Sequence, residues 1–143
     1  MRKLSSISVV LGMLCASTLL LGARVRAADA PPAGKVFELR VYHTNPDKLE
    51  ALHARFRDHT CKLFQKHGIE VVGFWTPIHG QEAQNTLYYI VAFHSVEAQK
   101  KAWQAFGADP DWKKAKADSE KDGVLVKKVD STNLKATDYS PIN

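Results

Sequence analysis

The 143-residue sequence lacks the short motifs that identify the common enzyme classes. It contains no GxSxG elbow, no phosphate-binding loop and no dinucleotide-binding glycine fingerprint, so ordinary serine hydrolase, nucleotide triphosphatase and Rossmann chemistry have no support. Its six histidines show neither HExxH nor facial-triad spacing. We therefore predict no metal site and no bound cofactor.

The sequence also has few cysteines, and most of its net positive charge comes from the N-terminus. Only Cys15 and Cys61 are present, and residues 1–27 hold four basic residues and no acidic one, so their removal lowers the formal charge from +5 to about +1. The basic balance thus belongs largely to the N-terminus, and we predict no nucleic-acid partner. Without Cys15, the remaining chain cannot form an internal disulfide and depends on its core.

The N-terminal residues have the pattern of a secretory signal peptide. Arg2 and Lys3 precede an apolar run from about residue 7 to residue 22, and small residues favour cleavage after Ala27. A membrane anchor would need roughly 20 apolar residues, and Arg24 and Arg26 interrupt the run before that. We predict a signal peptide over 1–27 and an exported protein, periplasmic or secreted, with no stable membrane anchor after cleavage.

The rest of the chain divides into a short linker and one domain. Residues 28–35 are rich in alanine and proline and are predicted to be a flexible linker. Residues 36–143 suit a single domain.

One long helix is the clearest element of this domain. Asn45 is a favourable N-cap, Pro46 suits the first helical position, and Gly68 ends the pattern. A buried stripe recurs between them at steps of three and four residues. It consists of Leu49, Leu52, Phe56, Thr60, Leu63 and His67.

The remaining pattern predicts four strands and a second helical region. Strands are expected at 36–43, 69–79, 86–94 and 124–129, and helices start after Ser95 and at Asp109–Pro110. The order βαββαβ predicts an α+β, ferredoxin-like domain. Its four-stranded antiparallel sheet has the first and third strands in the middle and both main helices on one face.

The second and third strands are apolar on both sides. Val72, Phe74 and Ile78 alternate with other apolar residues in the second strand, and TLYYIVAFH is apolar almost throughout. Because helices cover only one face, we predict that a second copy covers the other, giving a homodimer.

Five segments together resemble the NIPSNAP family. They are ELRVY at 38–42, RFRDHT at 55–60, LFQKHG at 63–68, VGFW at 72–75 and WxxFxxDPxW from Trp103 to Trp112. The resemblance covers residues 36 to about 140 and implies a dimeric α/β barrel, in which two ferredoxin-like sheets pack face to face. It implies no settled activity.

His59 and Arg40 are the first choices for catalytic residues. His59 lies at the edge of the buried helical stripe, where a titratable ring in the helix–sheet space could act as a general base. Arg40 lies mid-strand, where it could bind a carboxylate or stabilise an enolate. The alternatives are a hydrogen-bonded histidine at the core boundary and an internal ion pair between Arg40 and Glu38.

Four aromatic residues are the predicted ligand-binding set. Tyr42, Trp75, Tyr88 and Trp103 could line a helix–sheet pocket for a flat apolar molecule, since aromatic side chains combine large area with a polar tip. Core packing is the alternative explanation for all four. Cys61 has no suitably placed base and is interpreted as inert.

Three functions remain open at this point. The first is an exported homodimer that binds a small apolar or aromatic molecule in a helix–sheet cavity. The second is a cofactor-independent oxygenase or isomerase in which His59 removes a proton and Arg40 stabilises the enolate. The third is a structural or partner-binding protein without catalysis. The sequence does not decide whether the protein is an enzyme.

Overall fold

A computed structural model of the chain describes residues 34–142. The predicted signal peptide and the linker as far as residue 33 lie outside the described residues. No helix within the described range is long and apolar enough to cross a membrane. The strands are β1 Val36–Thr44, β2 Glu70–Trp75, β3 Thr86–Phe93 and β4 Val126–Lys135. The α-helices are α1 Leu49–Arg55, α2 Cys61–Lys66, α3 Val96–Ala108 and α4 Pro110–Ser119.

The four strands form one antiparallel sheet with the order β2-β3-β1-β4. β1 and β3 are the central strands, with Arg40 opposite Tyr89 and Glu38 opposite Val91. This order confirms the predicted ferredoxin-like arrangement.

The long helix comprises α1, a π-helical turn over Phe56–Thr60, and α2. Its predicted start is wrong, because the helix begins at Leu49 rather than after Asn45. The Asn45 side chain donates instead to the Val124 carbonyl at 2.7 Å, and its backbone N–H donates to the Leu125 carbonyl. Asn45 therefore ties the end of β1 to the chain before β4. The predicted end is confirmed, since Gly68 has a φ of 69°.

The π turn changes which residues face the sheet. The Cys61 N–H donates to the Phe56 carbonyl, five residues earlier, and the Thr60 hydroxyl donates to the Arg55 carbonyl at 3.2 Å. A turn closed by i→i+5 bonds takes more residues than an α-helical turn. Residues after it are consequently rotated back around the helix axis relative to an unbroken α-helix.

Two strand ends differ from their predictions. β2 ends at Trp75 rather than near residue 79, because Pro77 has no N–H for sheet pairing. β4 extends to Lys135 although its second half is polar. Pairing with β1 holds it, with Lys135 opposite Val36, and an edge strand can expose polar side chains to water.

Helices α3 and α4 begin where their capping residues predict. The Ser95 hydroxyl accepts a hydrogen bond from the Ala98 N–H at 3.1 Å, and the Asp109 carboxylate accepts one from the Asp111 N–H at 2.8 Å. Asp109 also accepts from Lys66 Nζ at 2.9 Å and His67 Nε2 at 2.6 Å. These bonds, that from Lys66 first, lower the pKa of Asp109 and fasten the end of the long helix to the start of α4.

The hydrophobic core lies between the helices and one face of the sheet. Phe56 is at its centre, with ring centroids 5.3 Å from Phe74 and 5.4 Å from Tyr89. The buried members from both layers are Leu52, Phe56, Leu63, Phe64, Ile69, Leu87, Tyr89, Val91, Phe93, Ala102, Phe106 and Leu125.

The opposite face of the sheet, here called the outer face, has no helix from residues 34–142 over it. Glu38, Arg40 and Tyr42 point towards the helices, so Phe37, Leu39 and Val41 point outwards. Residues 136–142 cover one end of this face and, with Phe37, Ile90 and others, enclose a cavity of about 250 Å³. Tyr139 in this segment is 84% exposed, and Leu39 and Val41 stay only half-buried. The outer face is thus partly covered within one chain.

Candidate functional site

A buried carboxylate organises the polar side chains between the helices and the sheet. Glu38 is 3% exposed and accepts hydrogen bonds from Arg40 Nη1, Trp103 Nε1 and Ser131 Oγ, each at 2.6 Å, and from Gln99 Nε2 at 2.7 Å. Burial by itself would raise the pKa of Glu38. The hydrogen bonds from Ser131, Gln99, Trp103 and Arg40 outweigh this effect and lower the pKa below its ordinary value, so the carboxyl is ionised.

Arg40 is held within this network rather than left open for a substrate. Its guanidinium lies 4.6 Å from the Trp103 ring centroid and 5.5 Å from that of Tyr42, and its Nη2 donates weakly to the Tyr42 hydroxyl at 3.4 Å. The ion pair with Glu38, the alternative considered for Arg40, is the arrangement found. Neutralisation by Glu38 weakens any attraction of Arg40 for an enolate.

Two polar atoms beside this network are buried without a hydrogen-bond partner among residues 34–142. They are Arg40 Nε and Tyr89 Oη, on directly paired residues of β1 and β3. Burial raises the pKa of the Tyr89 phenol well above its usual range, so it is a neutral donor. The interior therefore retains unused hydrogen-bonding capacity next to its aromatic side chains.

The position expected for His59 is wrong. His59 lies in the π turn with its side chain exposed, because that turn rotates it away from the helix–sheet space. His59 and Arg40 are therefore not brought together. A constant period of about 100° per residue places His59 at the edge of the buried stripe, and the π turn interrupts that period.

The four predicted ligand-binding aromatics also fail to form one pocket. Tyr42 and Trp103 belong to the interior network, and Tyr42 packs edge-on against Phe56 with centroids 6.0 Å apart. Trp75 and Tyr88 pair across β2 and β3 on the outer face. The Trp75 ring lies over Gly73, where an added Cβ would come within 2.6 Å of it.

The clearest concave site is a groove between the long helix and the free edge strand β2. It consists of two cavities of about 570 and 240 Å³ that have Cys61 and Phe74 in common. We call it the helix–β2 groove. The larger cavity is lined by Cys61, Gln65, Gly68, Ile69, Glu70, Val71, Phe74 and His94. The smaller is lined by His53, Phe56, Arg57, Cys61, Phe74, Trp75, Thr76 and Leu87.

Cys61 lines both cavities of the groove. The π turn brings it to the sheet side of the helix, where it is half-buried against the core. Burial raises the pKa of its thiol, which agrees with the interpretation that Cys61 is not an activated nucleophile. It nevertheless occupies the middle of the groove.

Sequence reasoning missed most of the groove. Trp75 is the one predicted ligand residue in its wall. The sequence predicts Phe56 in the buried helical stripe and Phe74 in the second strand, raises His53 only as a candidate metal ligand, and gives Arg57 no role. Within residues 34–142, no group of three or more His, Cys, Asp or Glu side chains is arranged to hold a metal ion.

Comparison with known proteins identifies relatives of the whole described domain. The NIPSNAP family profile matches residues 37–141, and no curated protein sequence matches. A NIPSNAP family protein of unknown function from Agrobacterium tumefaciens has 22% identity and a TM-score of 0.67, covering 77% of this chain and 95% of its own. A second from the same organism has 16% identity and a TM-score of 0.67, covering 76% of this chain and 99% of its own.

A more distant similarity reaches a characterised enzyme. SnoaB, a cofactor-independent oxygenase from Streptomyces nogalater, has 15% identity and a TM-score of 0.52, covering 76% of this chain and 99% of its own. At that identity the similarity concerns the fold alone.

Replacement of the buried carboxylate should destabilise the domain. We expect Glu38→Gln to lower the free energy of unfolding by about 3 kcal/mol at pH 7, because Arg40 then lacks its counter-charge. Since the folded-state pKa of Glu38 is lowered, its stabilisation is present above the ordinary value of 4.5 and is lost as the pH falls below it. Urea unfolding of the wild type and Glu38→Gln should show a smaller difference in unfolding free energy between the two proteins at pH 3 than at pH 7.

The exposed Glu97 provides the control for that measurement. Glu97→Gln should change the unfolding free energy by about 0.5 kcal/mol or less at either pH. A Glu38→Gln protein as stable as the wild type at pH 7 would contradict a structural role for the network.

Proposed function

The chain belongs to the NIPSNAP family, and we propose that this member is an exported homodimer that binds a small apolar or aromatic molecule in the helix–β2 groove. The proposal keeps the binding function expected from the sequence. It moves the site from the Arg40–Trp103 interior to the edge of β2. Arg40 and Trp103 then have a structural role in the network around Glu38.

The observation that carries the proposal is the pair of adjoining cavities around Phe74 and Cys61. Their volumes, about 570 and 240 Å³, are of the order that small molecules occupy in proteins. Phe56, Phe74 and Leu87 supply apolar surface, and Phe56 and Leu87 are fixed in the buried core. A groove with rigid aromatic walls favours a flat apolar ligand, because its walls lose little conformational entropy on binding.

The outer face supports the homodimer. Leu39, Val41 and Ile90 form an apolar surface that the helices do not reach and residues 136–142 cover only at one end. A second copy placed face to face would remove this surface from water, and a two-fold arrangement lets the same patch serve both subunits. The proposed assembly is the dimeric α/β barrel expected for the family.

Ligand binding is tested by thermal denaturation with 1-naphthol as the probe. Saturating 1-naphthol should raise the melting temperature of the wild type, since at 100 times Kd a ligand adds about 2.7 kcal/mol to stability. Cys61→Phe should abolish the shift, because the larger side chain fills the middle of the groove. His59→Ala, an exposed position on the same helix, should keep the shift and serves as the matched control.

The thiol itself gives an independent readout in the exported form, which would lack Cys15. Saturating 1-naphthol should slow modification of Cys61 by a maleimide several-fold, because the ligand covers it. Neither stabilisation nor protection of Cys61 would contradict binding in the groove. Loss of the thermal shift in His59→Ala would instead favour the site predicted from the sequence.

The homodimer is tested by analytical ultracentrifugation. The wild type should sediment as a dimer at micromolar concentration, and Leu39→Glu should sediment as a monomer because it places a charge at the centre of the apolar face. Lys100→Glu, on the exposed surface of α3, should remain dimeric. A wild type that sediments only as a monomer would overturn the proposal.

Export is tested by expressing the full chain in a Gram-negative bacterium and separating the periplasm, medium and cytoplasm. The protein recovered outside the cytoplasm should begin at Ala28 by N-terminal sequencing. Replacement of three residues in the apolar run by aspartate should retain the protein in the cytoplasm. Uncleaved wild-type chain found only in the cytoplasm would contradict export.

A further inference from the structure

The two ends of the helix–β2 groove differ in charge. His53 and Arg57, one turn apart on the long helix, line the smaller cavity, and no carboxylate lines it within residues 34–142. The larger cavity ends at Glu70, which is paired with Lys35 at 2.9 Å. An elongated ligand therefore meets Arg57 and the His53 ring at one end, and the Glu70–Lys35 ion pair with His94 at the other.

We propose that the groove binds an elongated apolar carboxylate, with its carboxylate group at His53 and Arg57 and its apolar body against Phe56 and Phe74. This proposal rests on the proposed function and adds the ligand's charge and orientation. The opposite orientation would place the ligand carboxylate beside Glu70, which carries the same charge and already pairs with Lys35, the nearby cation. The Thr76 hydroxyl, in the wall of the same cavity, provides a further polar contact.

Arg57 is available for such a ligand because its present partner is held weakly. It forms an ion pair with Glu50 at 2.6 Å, but the side chains of Arg57 and Glu50 are 62% and 78% exposed. An ion pair this exposed contributes little to stability. A ligand carboxylate anchored by its apolar body can therefore replace Glu50, whereas the buried pair of Arg40 and Glu38 leaves no comparable opening.

Acidic side chains also lie next to the smaller cavity, so a preference for a cationic ligand is the alternative to test. Asp47 and Glu50 line a shallow depression that also touches His53 and Thr76. A ligand amine could sit there. The sign of the preferred ligand charge is thus the property to measure.

The test compares octanoate, 1-octanol and octylamine, which share one apolar chain, by calorimetric titration of the purified protein. Octanoate should bind about fivefold more tightly than 1-octanol at low ionic strength, the gain expected of one exposed charge pair, and this preference should shrink in high salt. Octylamine should bind least tightly.

Two substitutions place the effect at Arg57. Arg57→Gln should remove the preference for octanoate over 1-octanol, and Glu50→Gln should strengthen octanoate binding because Arg57 loses its competitor. Lys62→Gln, which removes an exposed charge from the same helix outside the groove wall, should leave the preference intact.

The outcomes separate this inference from the proposed function. Equal binding of octanoate and 1-octanol, or tighter binding of octylamine, would overturn the carboxylate preference while leaving an apolar binding site in place. An octanoate preference that survives Arg57→Gln would overturn the assigned orientation. Failure of all three probes to bind, together with no effect of 1-naphthol, would overturn both proposals.

Discussion

The helices of residues 34–142 form one layer and cover only one face of the four-stranded sheet, and this constraint governs the rest of the structure. The covered face holds the aromatic core around Phe56 and Tyr89, where burial of apolar surface provides the main stabilisation. The outer face keeps Leu39, Val41 and Ile90 without a helix over them. The C-terminal residues reach only one end of it. The proposed second subunit would remove the remaining apolar surface from water.

The same constraint explains why Glu38 accepts so many hydrogen bonds. Glu38 and Arg40 lie on the covered face of a central strand, so water cannot satisfy them and protein groups must. Four side chains donate to Glu38, and two aromatic rings flank Arg40. Such a network fixes the relative positions of β1, β4 and α3. It also occupies the space between the helices and the sheet in which the sequence predicts a catalytic pair.

The groove depends on a local departure from α-helical geometry. The π turn over Phe56–Thr60 turns Cys61 towards β2 and His59 towards solvent. β2 is an edge strand of the described sheet, so along its free edge no neighbouring strand closes the space beside the helix. The groove is therefore placed where a π turn meets a sheet edge, and π turns often occur at functional sites. In the proposed binding mode, the charge difference between Arg57 at one end and Glu70 at the other sets the orientation of the ligand.

The sequence determined the order of the elements, the strand arrangement and the family, because capping residues such as Ser95 and Asp109 and the apolar periodicities are local features that survive folding. It also indicated the ion pair of Arg40 with Glu38, since both lie on one side of a strand. The tertiary structure alone decided where the helix starts, that β4 continues to Lys135, and which side chains line the groove. The Asn45 side chain does not cap the helix as expected, because it donates to the carbonyl of Val124, 79 residues away. The π turn likewise rotated His59 and Cys61, since a constant helical period cannot register one extra residue in a turn.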